Sequence, residues 1–252
     1  HEKKLLNKTF EFFFDQSMSS QMQNLMQQLH AHLSNNKRLL FRVQHRDKSK
    51  RKLSWKGSFT IGRGSTQPGH IKLIGKYPGF LKHNFKNTGV YNLPMQDQCA
   101  KWSKQERLPK LTAYWLAYEI LKIIDPYYAS GEFIVQFAYM NANGFVKIHK
   151  DKEDISHQYA LSLGEFTGAT LRVYHKNFRE TNPTERSFQI QSGNYTDIDY
   201  RNKVVKFDGR RAHEVVTDDF QGERFTIIYY KNYDHRKDRA DPIFPYPEIV
   251  YE

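Results

Sequence analysis

The sequence predicts an α+β protein, helices first and then a run of short strands that closes into a sandwich or barrel. Three observations predict it. Apolar residues recur every three or four positions in two segments of the first half. From residue 131 onward the period changes to two. The period-two segments are short and parted by Gly, Asn or Asp turns.

In chain order, Thr9–Asp15 reads as a short buried strand or the lead-in to a helix. Ser17 to Leu33 reads as a helix whose Met18, Met22, Leu25, Met26, Leu29 and Leu33 form a core-packing stripe. The alternation in Leu39-Leu40-Phe41-Arg42-Val43 predicts a strand. Gly62 to Gly69 holds three glycines and a proline, which predicts a loop. Its basic, glycine-rich character suits close approach to phosphates, but no Gly-Lys-Ser/Thr comes after it. Leu108 to Ile124 is the best helix: Pro109 suits its first turn, Leu111, Trp115, Leu116, Tyr118, Ile120, Leu121 and Ile124 make an apolar face, and Asp125-Pro126 stops it. Strands come next at Glu132–Tyr139, Gln158–Leu163, Thr170–Tyr174, Arg186–Ile190, Lys203–Phe207, Ala212–Val216 and Arg224–Tyr230. His175–Glu185 reads as an exposed polar connection, and Asp234–Glu252 as an irregular tail.

The 252 residues suffice for one substantial core with an added lobe. We divide them into a basic mixed lobe packed on the core (1–108), the core with its supporting helix (109–234) and a C-terminal tail (235–252). The single cysteine, Cys99, excludes an internal disulfide framework and a thiolate zinc site, and it fits a reducing, intracellular compartment, nuclear in a eukaryote. No apolar run approaches the roughly 20 residues of a membrane span, so no membrane partner is expected, and no feature calls for an obligate protein partner. The chain opens at His1 without a methionine, as a trimmed chain would.

The charge is uneven. Lys37 to Lys86 carries 14 Lys and Arg against the single acid Asp47, a local excess larger than the net +12 of the whole chain. Such a block is the footprint of a phosphate-backbone binder. Lys48, Arg51, Lys52 and Arg63 are its candidate contacts. Trp55, Phe59, Tyr77, Phe80 and Phe85 interleave with its cations, a mixture suited to nucleic acid, although aromatics of this kind also serve as core.

The chemistry points to a second constellation. His149 and Asp151 lie two apart and, in a strand, share one face. His213 sits at the start of a later strand and Arg224 comes 11 residues on. Two imidazoles and a carboxylate can occupy one triangular face of Fe(II) and leave three positions open. An arginine alongside can clamp a carboxylate with its planar fork. A carboxylate at 151, where a small residue would admit halide, points to hydroxylation rather than halogenation.

Five segments carry a family resemblance: Met140-Asn141-Ala142-Asn143; His149-Lys150-Asp151-Lys152-Glu153-Asp154; Leu161-Ser162-Leu163-Gly164-Glu165-Phe166-Thr167-Gly168-Ala169-Thr170-Leu171; Phe207-Asp208-Gly209-Arg210-Arg211-Ala212-His213; and Gly222-Glu223-Arg224-Phe225-Thr226-Ile227-Ile228-Tyr229-Tyr230. Residues 133–232 resemble the double-stranded β-helix of the Fe(II)/2-oxoglutarate dioxygenases, and within these the nucleobase-oxidising TET/JBP group. The Leu-Gly-Glu-Phe-Thr-Gly stretch is the most group-specific of these segments. The resemblance implies a jelly-roll, cupin-like core flanked by N-terminal helices. It implies His149, Asp151 and His213 as iron ligands, and Arg224 as both a catalytic requirement and the holder of 2-oxoglutarate, with O₂ as the oxidant. It places Asn143 and Asp154 near the substrate base. Two positions depart from the group: Asp154 stands where many relatives have asparagine, and Ala169 replaces the second glycine of Thr-Gly-Gly. One algal branch uses ascorbate in place of 2-oxoglutarate; Arg224 favours 2-oxoglutarate.

The implied function is hydroxylation of the methyl group of 5-methylcytosine or thymine in DNA, with a methylated duplex as partner and the base flipped out of the stack. The alternatives are a protein or prolyl hydroxylase of the same superfamily, or a nucleic-acid-binding module without turnover. Because imidazoles bind metal only when neutral, iron affinity is expected to fall below about pH 6.

Overall fold

The computed structural model describes residues 2–41, 56–62, 71–72, 104–131, 133–141, 146–151, 154–175, 180–182, 187–188, 195–231, 242, 244 and 246–252. In the first helix, side chains are described from Met18 onward. Asn143, Lys48, Arg51, Lys52, Arg63, Trp55, Tyr77, Phe80 and Phe85 lie outside the described residues.

Helix α1 (Glu2–Asn35) absorbs both the expected 17–33 helix and the segment before it. Met22, Met26, Leu29 and Leu33 are buried, as the stripe requires. Of the strand expected at 39–43, residues 39 and 40 belong instead to a one-turn helix, α2 (Lys37–Leu40), ending at Phe41 in an extended conformation, and 42 and 43 lie outside the described residues. The carbonyl of Asn36 accepts from both Leu39 N and Leu40 N at 2.9 Å. Leu40 and Phe41 are adjacent, yet both enter the core; a strand would send them to opposite faces.

Helix α3 (Lys104–Ile124) begins four residues earlier than expected and carries Pro109 in its second turn. The missing proline N–H costs at most one bond so near the start, and His32 Nε2 meets the Pro109 carbonyl at 2.8 Å. A short helix α4 (Pro126–Ser130) comes next, with the Asp125 carboxylate accepting from Tyr128 N at 2.8 Å.

The strands are β1 (Lys56–Gly62), β2 (Ile71–Lys72), β3 (Ile134–Met140), β4 (Val146–His149), β5 (Gln158–Leu163), β6 (Phe166–Thr167), β7 (Thr170–Tyr174), β8 (Glu180–Asn182), β9 (Ser187–Phe188), β10 (Tyr195–Ile198), β11 (Val204–Phe207), β12 (His213–Val216), β13 (Gln221–Gly222), β14 (Arg224–Tyr230) and β15 (Glu248–Tyr251). A major sheet runs β15-β11-β5-β14-β3-β1-β2 and a minor sheet β10-β7-β12-β4; β6–β13 and β8–β9 are small ribbons. From β3 the chain passes repeatedly between the two sheets, β3 to β4, β5 to β7 and β11 to β12, and every pairing within them except β1–β2 is antiparallel. This is the expected jelly-roll, cupin-like architecture.

Several elements differ from the expectation. The supposed polar connection contains β8, and the tail contributes β15 to the edge of the major sheet. Prolines at 242, 245 and 247 disguise β15, which begins just after the last of them. β1 pairs with β3 over seven residues, so Gly62 ends a strand rather than opening a loop. A Cβ at Gly62 would lie 2.4 Å from the backbone of residues 133 and 134, so only glycine allows that approach.

The two faces of the major sheet have opposite fates. Leu161, Leu163, Val135, Phe137, Phe225, Ile227 and Tyr229 turn outward beneath α1 and α3 and form the main core. Ala160, Val205 and Phe207 turn inward against Leu171 and Val173 of the minor sheet. Phe59 stacks on Phe137 (centroids 4.7 Å apart, 14° between planes) and lies in the main core. It is therefore a packing residue and not a base-stacking one.

Candidate metal and carboxylate site

The minor sheet brings the metal candidates together. β12 pairs with β4 in antiparallel register with His213 opposite His149, and the two rings lie 4.2 Å apart at 52°. Asp151 is not in a strand, contrary to the expectation from its spacing, because β4 ends at His149. Its backbone N–H instead donates to the Gly209 carbonyl at 2.8 Å. That bond ties it to the turn preceding His213. Asp151 Oδ1 lies 3.8 Å from His149 Nε2, and Oδ2 lies 3.8 Å from His213 Nε2. One ligand atom from each residue falls within 4.8 Å of the other two, a triangle that can close around a first-row ion.

The Phe-Asp-Gly-Arg-Arg-Ala-His turn aims His213. Asp208 is buried and accepts from Arg210 N, Nε and Nη2 and from Phe244 N at 2.6–3.0 Å. Burial alone would raise its carboxyl, but these bonds outweigh burial and hold it below the ordinary value. Arg211 donates to the carbonyls of His175 (2.7 Å) and Phe244 (3.1 Å). The Arg211 carbonyl lies 2.9 Å from His213 Nδ1, which fixes Nδ1 as the protonated nitrogen and leaves the Nε2 lone pair for a metal. Burial first, and then His149 beside it, press the His213 imidazolium down to about 4, against the opposing pull of Asp151. The ring is thus neutral at pH 7, as a ligand must be.

Asp154 is 5 % exposed. Burial, then the charge of Asp151, push its carboxyl up to about 8 against the bond from Gln158, with Asp208 adding to the rise. Asp154 is thus a buried acid joined to Asp151 through Gln158.

Arg224 begins β14 on the inward face and is 3 % exposed. Its Nε donates to Ser162 Oγ at 2.8 Å and its Nη2 to Tyr200 Oη. Phe166 and Tyr200 present ring faces to the guanidinium at 5.7 and 5.2 Å. Among the described residues these partners are all neutral, and no acid forms an ion pair with it. A buried cation without a counter-charge costs several kcal/mol, so the position suits an incoming carboxylate, and the donor set fits 2-oxoglutarate in charge and fork geometry.

Three contributors escape the sequence pattern. Ser162 lies inside the Leu161–Leu171 motif and faces Arg224 through the period-two alternation of β5, a readable signal. Gln158 opens the same strand on the same face. Tyr200 comes just after β10, and nothing in its sequence neighbourhood marks it.

No protein-family profile matches the sequence, and no curated protein matches it significantly. Solved structures with a similar chain arrangement include a Pseudomonas putida prolyl-4-hydroxylase, 14 % identical over 84 % of this chain and 87 % of that one at a TM-score of 0.40. C-terminally truncated Neurospora crassa thymine-7-hydroxylase in its apo form is 14 % identical over 83 % and 78 % at 0.43. An oxidoreductase of the 2OG-Fe(II) oxygenase family from Burkholderia pseudomallei is 14 % identical over 83 % and 82 % at 0.36.

Proposed function

We propose that this chain is an Fe(II)- and 2-oxoglutarate-dependent dioxygenase, and that it hydroxylates the methyl group of a 5-methylpyrimidine, 5-methylcytosine or thymine, in DNA. The observation that carries the enzyme class is the His149–Asp151–His213 triangle, with its atoms within 4.8 Å, on a fold that also buries Arg224 among neutral partners. Bound together, Fe(II) and 2-oxoglutarate would supply hydroxylation of an unactivated C–H bond: one atom of O₂ enters the substrate as hydroxyl, the other enters succinate, and CO₂ leaves.

The chain's own residues have distinct tasks in this reading. His149, Asp151 and His213 hold the ion on one side and leave the opposite side open. Arg224, with Ser162 and Tyr200 bracing its guanidinium, orients the co-substrate through its far carboxylate. The inter-sheet cluster of Met140, Phe166, Ala169 and Phe220 lines that end with apolar side chains, which limits water there. The nucleobase reading is supported by the Leu-Gly-Glu-Phe-Thr-Gly stretch and by the basic block containing Lys48, Arg51, Lys52 and Arg63; Asn143 and Asp154 are its proposed base-side residues. A protein or prolyl hydroxylase would share the whole metal and carboxylate set.

One assay separates these readings. The protein is incubated with Fe(II), 2-oxoglutarate and methylated duplex DNA, and succinate and oxidised base are measured by mass spectrometry. Equimolar succinate and hydroxymethyl base are expected. Succinate formed only with a proline-containing peptide overturns the nucleobase reading, and no succinate under any condition overturns the enzyme.

A further inference from the structure

Asp151 is held from two directions, and only one of them is its backbone. Its carboxylate Oδ2 accepts from Gln158 Nε2 at 2.7 Å, and the same amide nitrogen donates at 2.6 Å to Asp154 Oδ2. The Asp151 carboxylate fixes the amide's orientation: the NH₂ must face it, because the amide oxygen would be repelled, and the second N–H then meets Asp154 Oδ2. Both amide hydrogens are thereby committed. Gln158 is 2 % exposed and begins β5, where it pairs with Phe207 of β11. It therefore projects from the rigid major sheet toward a carboxylate that belongs to the loop after β4. Gly209 leaves room for this crossing. A Cβ there would meet Gln158 Nε2 at 2.2 Å and Asp151 Oδ2 at 2.9 Å.

We propose that Gln158 is the positioning residue for Asp151: by occupying Oδ2 it fixes the carboxylate rotamer and leaves Oδ1 as the single oxygen presented to the metal, with Asp154 anchoring the amide from behind. The inference rests on the reading of Asp151 as an iron ligand. Its physical content is the difference between one-point and two-point carboxylate contact. A carboxylate free to rotate can chelate through both oxygens and consume a coordination position; in one held at Oδ2 that oxygen already has a lone pair engaged by a charge-assisted bond in a buried site, which favours metal contact through Oδ1. Asp154 is held the same way, so the anchor and the ligand are linked through one side chain.

The test uses Co(II) as a stable probe of the full-length chain. Co(II) affinity is measured by titration calorimetry, and coordination by the visible absorption of the loaded protein, for the wild type and Gln158→Met, which keeps the length and removes the donor. The thermal midpoint of each metal-free protein is recorded alongside. The expected result is an affinity loss of about 10–100-fold and a changed visible band in Gln158→Met. Unchanged affinity and spectrum, with only a lowered midpoint, overturn the proposal and leave Gln158 as a packing residue. Should Gln158→Met fail to fold, Gln158→Leu, which also lacks the donor, carries the same two readouts with the same expectation. Wild-type protein that takes up no Co(II) overturns the metal reading itself, and the proposal with it; wild-type binding matched by the variant overturns the proposal alone.

Discussion

The outer and inner faces of the major sheet are made by the same strands, yet they obey different rules. On β14, Phe225, Ile227 and Tyr229 sink into the apolar layer under α1 and α3, while Arg224 and Thr226 point between the sheets. On β5, Leu161 and Leu163 face outward, while Gln158 and Ser162 face in and hydrogen bond to Asp151 and Arg224. Neighbouring residues one position apart thus face the apolar core on one side and the proposed site on the other. The outer layer is built mainly from apolar side chains, and within it the Tyr229 hydroxyl donates to the Ala117 carbonyl at 2.8 Å. The inner face tolerates a buried cation and a cluster of acids because each is held by named neighbours.

That contrast can be broken residue by residue. Phe225→Ala should cost about 3–5 kcal/mol of stability, read from denaturant unfolding, while the folded fraction keeps its metal affinity. One step away, Arg224→Met should weaken 2-oxoglutarate binding on the order of 100-fold, the scale of a charged pair of hydrogen bonds. Its thermal midpoint should hold or rise, because a buried cation leaves a neutral pocket. If both variants lose stability equally and neither alters co-substrate binding, the two faces are not divided in this way.

The inner face should also show its acids in the pH dependence of the metal-free protein. Asp154 moves from 3.8 to about 8 on folding, so between those values the folded chain holds a proton that the unfolded chain has released, and stability falls as pH rises. His213 moves from 6.5 to about 4, so between those values the unfolded chain holds the extra proton and stability rises with pH. The two slopes oppose each other from about pH 4 to 6.5, and Asp154 dominates from there to about 8. Stability should therefore drop by about 1 kcal/mol between roughly pH 6.5 and 8. Asp154→Asn should abolish that drop and uncover the rise below about pH 6.5. A wild-type profile that climbs over the same interval contradicts a buried, protonated Asp154.

The smallest expected effect lies at the seam between the helices and the sheet. Lys37 pairs with Glu223 at 2.5 Å, and Tyr139 donates to the same carboxylate oxygen at 2.8 Å. Both ends of the ion pair are more than a third exposed. Lys37→Ala should cost under about 1 kcal/mol and less still in high salt. A larger loss would mean that α2 helps to hold the residue next to Arg224.

The legibility of the chain obeys the same division. The outer face is readable because periodicity reports burial directly: the stripe on α1, the face of α3 and the alternation of β5, β7 and β14 each encode one apolar side. His149, Asp151, His213 and Arg224 can be named from residue type and spacing. The supporting side chains cannot, with the exception of Ser162. Gln158 and Tyr200 act through contacts made by distant segments, and a single Gln or Tyr carries no spacing signal. Phe59 is deceptive because an aromatic among cations resembles a base-stacking platform until its partner, Phe137, is seen. Phe41 and β15 are deceptive because Asn36 in the one case and the prolines in the other mask the elements beyond them.

That three side chains converge on one metal ion is open to anaerobic calorimetric titration with Fe(II). One equivalent per chain is expected for the wild type, with the affinity of His213→Ala reduced at least about 100-fold, the scale of losing a direct ligand. Fe(II) uptake by His213→Ala with wild-type affinity and stoichiometry would show that the ion is held elsewhere.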